Sequence, residues 1–212
     1  MAPNLTASIQ DRLKNQSRKD KINFATLLEQ FALSRFFARL SESTYNKKFI
    51  LKGAQLFRLW SDQVHRPTRD ADFLSFGTIN PEKLETIFNE ICNLDPAEPD
   101  ALKWLEAQAT PIREENTYGG IRVKITAILG NMKIPLQIDV GYGDIITPAI
   151  KQEEWQSILD FKNISLQTYP VETVIAEKLE AMVSLGMANS RMKAPLLLAP
   201  PCDTVSASNQ PG

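Results

Sequence analysis

The sequence predicts an α+β fold, a mixed β-sheet flanked by helices, and three observations carry that expectation. Apolar residues recur at helical spacing in three stretches: Asn23–Leu40, the segment opening at Asn80-Pro81, and the one following Pro170. Strict alternation of apolar and polar residues marks a hairpin around Gly130-Asn131. Short apolar runs at Phe49–Leu51 and around Phe73-Leu74 have the length and flanks of buried strands.

Composition bounds the function. Hydrophobic residues make up 43% of the 212 and charged residues 23%, which excludes global disorder and fibrous repeats. Lys plus Arg number 24 against 25 Asp plus Glu, a net charge of −1. That balance argues against bulk electrostatic capture of nucleic acid and leaves room for a local basic patch. Cys92 and Cys202 form no CxxC pair, so neither a disulfide framework nor a structural zinc site is expected. One histidine, His65, cannot build a His-based metal cluster. No apolar run approaches the roughly 20 residues of a membrane span. Met1–Gln10 also lacks the basic-then-apolar order of a signal peptide. The expectation is a cytoplasmic protein without membrane contact.

Taken in order, residues 1–22 form a polar segment whose Arg12, Lys14, Arg18, Lys19 and Lys21 read as a solvated helix face. Phe24, Leu27, Leu28, Phe31, Phe36, Phe37 and Leu40 then predict an amphipathic helix. Phe49-Ile50-Leu51 is a short buried strand, Lys52-Gly53-Ala54 a glycine turn, and Leu56–Trp60 a helix. Asp70–Leu74 is a second strand. Asn80 caps a helix with Pro81 in its first turn, and Leu84, Ile87, Phe88 and Ile91 share one face, beside which Cys92 reads as a small core residue. Ile121, Val123 and Ile125 alternate with Arg122, Lys124 and Thr126, and Lys133–Val140 returns as the partner strand. Pro135 predicts an open edge or a bulge near the start of that strand. After Pro170 comes a helix with Gly186 as its stop. Residues 192–212 lose all periodicity: Ala194–Gly212 hold four of the thirteen prolines and a single charge, Asp203, so they read as a disordered or foreign tail.

The chemistry is concentrated in Arg66-Pro67-Thr68-Arg69-Asp70-Ala71-Asp72-Phe73. On a strand, Asp70 and Asp72 point to one face about 6–7 Å apart. Like charges so placed repel unless a cation lies between them. Paired hard oxygen ligands suit Mg²⁺, which also takes ligands from substrate phosphates. An exposed turn is the bland alternative. Gly53, between a strand and a helix, would let backbone N–H groups approach phosphate; taken alone, the segment reads first as an ordinary strand-to-helix turn. Asp139 ends the apolar run Ile134–Ile138, where a carboxylate needs a partner, and it is the candidate third metal ligand unless it lies on a surface. His65 reads as a polar neighbour of the site, Trp60 as core, and Tyr142 and Asp144 as loop or pocket residues.

In combination, Gly53-Ala54, Arg66-x-Thr68-x-Asp70-x-Asp72-Phe73, Gln137-Ile138-Asp139-Val140-Gly141 and Glu177-Lys178-Leu179 resemble the AbiEii/AbiGii toxin family. That family belongs to the nucleotidyltransferase superfamily, whose core is similar to that of DNA polymerase beta. The resemblance runs from Phe24 to Arg191 and implies a nucleotidyltransferase-like domain over 23–191. It implies that Asp70, Asp72 and Asp139 bind Mg²⁺, with Mn²⁺ as a substitute, and that Asp139 also helps deprotonate the acceptor hydroxyl. Lys52, Gly53 and Ala54 would hold the NTP, Lys178 would neutralise phosphate charge, and Arg66 and Thr68 would order the strand and nucleotide site. The implied reaction is attack of an RNA hydroxyl, with tRNA the leading acceptor, on the α-phosphate of an NTP. The implied setting is a bacterial toxin–antitoxin or abortive-infection system with a cognate antitoxin partner.

Two positions depart from the family pattern. Ala54 stands where Gly or Ser is frequent, which removes a hydroxyl contact and keeps the backbone one. After Lys193 the family continues with an Asp and a further helical region, whereas this chain turns to Ala194-Pro195-Leu196, which looks like a frameshift or truncation. Exposed apolar surface and homo-oligomerisation would follow. Two readings compete with the toxin: an antibiotic-type nucleotidyltransferase acting on a small molecule, and a truncated, non-catalytic remnant that binds nucleotide or a partner.

Overall fold

A computed structural model describes residues 4–60, 70–77, 79–112, 119–143 and 146–185. Residues Met1–Pro170 form one compact unit and Val171–Gly212 a second. The expectations for His65, Arg66, Thr68, Asp144, Gly186 and the 192–212 tail lie outside the described residues.

Helix α1 (Leu5–Asp20) is capped by the Asn4 side chain and buries Ile9 and Leu13 beneath its charged face. Helix α2 (Phe24–Glu42) follows its own Asn23 cap, whose side chain accepts from the N–H groups of Ala25 and Thr26. The predicted amphipathic character holds only at its start, because every residue from Phe31 to Leu40 is buried. Its polar side is accommodated by an internal ion cluster. Arg35 Nε and Arg39 Nη1 and Nη2 donate to the Asp100 carboxylate at 3.1, 2.5 and 3.1 Å, and the three side chains are 2–3% exposed. The Arg35 guanidinium also lies 4.1 Å from the centre of the Phe161 ring.

Strands β1 (Phe49–Lys52) and β2 (Ala71–Ser75) pair antiparallel; a 3₁₀ turn (Gly53–Leu56) and the one-turn helix α3 (Phe57–Trp60) follow β1. Helix α4 (Pro81–Cys92) begins at Asn80, whose side chain accepts from the Lys83 N–H at 2.9 Å, as the Asn-Pro pair predicts. Strands β3 (Leu102–Trp104) and β4 (Gln108–Ile112) lead to the long hairpin of β5 (Gly120–Leu129) and β6 (Met132–Tyr142). Strands β7 (Lys151–Trp155) and β8 (Ile164–Thr168) complete one eight-stranded sheet of order β3-β5-β6-β2-β1-β8-β7, with β4 also on β5. The sheet is mixed: β2 and β6 are parallel, as are β1 and β8, and the other pairs are antiparallel. Pro135 pairs with Thr126 on one side, and β2 joins β6 only from Ile138 onward. Its other edge is therefore open to no ladder, as Pro requires.

Aromatic rings fill the core. Phe37 of α2 meets Phe73 of β2 and Trp155 of β7 edge-on at 5.7 and 5.1 Å, and Phe88 of α4 contacts Phe36 and Phe49. Cys92 lies in this core at the end of α4. Trp60 is half-buried, its indole N–H donating to Glu153 Oε2 at 3.3 Å. In the second unit, α5 (Val171–Leu185) is the helix expected after Pro170. Among the described residues no helix is long and apolar enough to cross a membrane.

Candidate active site

Phe73 packs into the aromatic core, so the pleat sends its neighbour Asp72 to the opposite face of β2. Register then lines up four charged residues on that face. Lys52 of β1 pairs with Asp72 of β2, Asp72 with Asp139 of the parallel strand β6, and Asp139 with Arg122 of β5. Adjacent strands lie about 4.8 Å apart, so the two carboxylates are neighbours with a cation at each end. Asp70, two residues before Asp72, is exposed at the strand entrance, and its carbonyl accepts from Gln55 Nε2 at 3.1 Å.

The turn after β1 is shaped by the Asp72 carboxylate. Gly53 has φ +74°, and a Cβ placed there would lie 2.2 Å from Asp72 Oδ2. Only glycine allows the backbone to approach that oxygen so closely. The neighbouring Lys52 ammonium reaches to 5.5 Å from the centre of the buried Tyr169 ring, beside Gly141. Ala54 is exposed.

At the other end of the row, Arg122 grips Asp139 with both arms of its fork. Nε donates to Oδ1 at 2.9 Å and Nη2 to Oδ2 at 2.8 Å. With the Gln137 amide turned so that its oxygen faces the guanidinium, it accepts from the same Nε and Nη2 at 3.1 and 3.3 Å. The hydrogen bond to Asp139 holds the Arg122 pKa above its ordinary value; burial opposes it, and the charges of Asp139, Asp70 and Asp72 add to the rise. Arg122 thus feels all three carboxylates. Its fork is matched to a planar oxyanion.

Of the residues expected at the site, the sheet brings together Lys52, Gly53, Asp72 and Asp139. Lys178 lies on α5, in the second unit. The carboxylates have the hard-oxygen chemistry a Mg²⁺ ion requires. Among the described residues, however, no three His, Cys, Asp or Glu side chains are grouped so as to hold one ion, and both oxygens of Asp139 face Arg122. Asp70, Asp72 and Asp139 are of the donor type such an ion takes, and in this arrangement the Asp139 carboxylate is bonded to Arg122. Arg122 was legible only as the polar half of an alternating strand, although counting residues outward from Gly130-Asn131 sets position 122 opposite 139.

The family model described as nucleotidyl transferase AbiEii toxin, type IV toxin–antitoxin system, matches residues 35–193. Two solved Helicobacter pylori proteins are similar in structure at 15% identity. One is JHP933, with a TM-score of 0.45, where the match covers 74% of this chain and 56% of that one. The other, provisionally named a nucleotidyltransferase, has a TM-score of 0.46, with 74% and 58% covered. The chain therefore spans less than two thirds of either protein. No curated protein matches it.

Proposed function

Because the chain belongs to the AbiEii nucleotidyl transferase toxin family, with more than half its length inside the family model, we propose that it transfers a nucleotide from an NTP to an RNA hydroxyl, that of tRNA first among candidates. The observation that carries this reading is the in-register pair of Asp72 and Asp139 on adjacent parallel strands, with the Gly53 backbone pressed against Asp72. Asp70, Asp72 and Asp139 are the residues to hold Mg²⁺ or Mn²⁺, which when bound would neutralise charge on the triphosphate.

The rest is performed by the chain. The turn at Gly53 and Ala54 offers backbone N–H groups to the triphosphate, and Lys52 adds positive charge beside it. Asp139 takes the proton of the acceptor hydroxyl as its oxygen attacks the α-phosphorus. The bond from that phosphorus to the bridging oxygen breaks, and pyrophosphate leaves. Positioning and electrostatics supply most of the rate. Lys178 as a phosphate-neutralising residue, and Arg66 and Thr68 as ordering residues, rest on the family resemblance alone. A protein antitoxin would be the cognate partner of such a toxin.

The test is incorporation of label from each of four α-labelled NTPs into total bacterial tRNA with Mg²⁺. The unaltered chain should label RNA from at least one NTP, and Asp70→Ala or Asp72→Asn should lower that labelling by about a hundredfold or more. Labelling that persists in both variants would refute the assignment of the site. A folded chain that labels no RNA, yet modifies a cationic small molecule in an Asp72-dependent manner, would replace the acceptor.

A further inference from the structure

Beyond the carboxylate row, the sheet carries its charges on one side. Strands β3 to β6 hold five charged residues, Lys103, Arg122, Lys124, Lys133 and Asp139. Register and pleat set all five on the face that bears Asp72: Lys124 is opposite Gln137, and Ile128 is opposite both Lys133 and Lys103. Arg122 and Asp139 answer each other. The three lysines are exposed, and among the described residues none is paired with a carboxylate. A face that served only to keep the sheet solvated would mix signs, as β7 does with Lys151, Glu153 and Glu154. The chain as a whole is balanced, 24 basic residues against 25 acidic, so three lysines without a carboxylate of their own are a local segregation. Edge protection does not explain Lys124, which has a strand on each side. Glu106 does not offset the lysines either, since it borders a cavity with Asn89 and Cys92 of α4, on the helix side. Across the carboxylates the same face is closed, with Ile50 and Leu74 buried. Its open part therefore lies over β5 and β6, away from the Gly53 turn.

We propose that this open half of the sheet is the acceptor track: the RNA phosphate backbone lies across β5 and β6, held by Lys124, Lys133 and Lys103, and delivers its hydroxyl to the carboxylate row. The inference deepens the transferase reading and rests on it for RNA as the partner. Two residues of strand advance about 7 Å. Lys124 thus stands one such step from the row of Asp139, and Lys133 three steps, about 20 Å, the span of several nucleotides. The track sets NTP and acceptor on opposite sides of the carboxylates, the NTP at Gly53 and the RNA over β5 and β6. Attacking and leaving oxygens then enter in line. Lysine contacts to phosphate carry no sequence information, so the track supplies affinity and orientation without base preference.

The experiment follows binding of pooled bacterial tRNA to the full chain, without NTP, by filter binding across a series of salt concentrations. Each of Lys103→Gln, Lys124→Gln and Lys133→Gln should reduce the slope of log affinity against log salt by about 0.7–0.9. The triple variant should bind about tenfold more weakly, or worse, at low salt. Lys19→Gln, at the exposed end of α1, is the control and should change neither. In the labelling assay the triple variant should raise the KM for tRNA and leave that for the NTP in place. In the unaltered chain, bound tRNA should shield the three lysines from acetylation and leave Lys19 reactive; this readout needs no variant to fold.

If the triple variant binds tRNA with the slope and affinity of the unaltered chain, the track is wrong. Label that still enters tRNA in an Asp72-dependent manner then leaves the transferase standing. A loss of slope as large in Lys19→Gln also refutes the track, because the attraction would be one of diffuse charge. A folded chain that neither binds nor labels tRNA overturns the track and the RNA acceptor together.

Discussion

Gly53 carries the sharpest demand at the scale of a single residue. Its left-handed backbone and the Asp72 carboxylate packed against it leave no space for a methyl group. Gly53→Ala is expected to cost about 1–3 kcal/mol of stability in backbone strain and, by displacing Asp72, to lose tRNA labelling as completely as Asp72→Asn. Urea unfolding and the labelling assay measure the two effects separately, and a variant that labels RNA normally would contradict the close approach. Cys92 makes a prediction of a different kind. Burial pushes its thiol from the ordinary 9.0 up to about 12, with Arg39 pulling slightly the other way. The folded state therefore holds its proton more tightly than the unfolded chain does. The stability this contributes is present in full below pH 9.0 and is lost as pH rises toward about 12. In a Cys202→Ser background the native protein should leave a disulfide reagent unreacted near pH 8, and should react once unfolded. Rapid reaction of the folded protein would show that Cys92 is accessible as thiolate.

Among the elements, legibility follows burial and length. Helices α2, α4 and α5 and the β5–β6 hairpin were readable because each carries a long periodic pattern or a chemically explicit cap or turn. Strands β3, β4, β7 and β8 were not: they are three to five residues long, and β3, β4 and β7 lie at the margins of the sheet. Lys151-Gln152-Glu153-Glu154 in β7 is polar because it faces solvent along most of its length. The full burial of α2 was hidden for the opposite reason: Arg35 and Arg39 give its pattern a polar side, and in the fold they close on Asp100. That cluster ties α2 to the segment entering β3, where Asp100 also accepts from the Leu102 N–H. Asp100→Ala would leave two guanidinium groups buried without their carboxylate and is expected to cost about 3–5 kcal/mol, a large part of a domain's usual 5–15 kcal/mol. Urea unfolding of the variant measures it; a loss under 1 kcal/mol would mean the arginines find other partners.

For the molecule as a whole, the acidic residues of the candidate site stand out in the sequence by their spacing and family resemblance, while their arrangement does not. Asp72 and Asp139 are adjacent because two strands remote in sequence run parallel, and no local pattern announces such a pairing. The two cations flanking them follow from the same registers. Those registers differ in how soon they can form. Arg122 and Asp139 are 17 residues apart and meet across a tight hairpin whose turn begins at Gly130, with φ +64°. Asp72 must wait for a far longer loop, spanning α4 and β3 to β5, to close in the parallel sense. In a chain that is still folding, the late carboxylate thus arrives beside one whose charge has already been answered from within its own hairpin. The crowding of like charges on that face is never met bare on the way there.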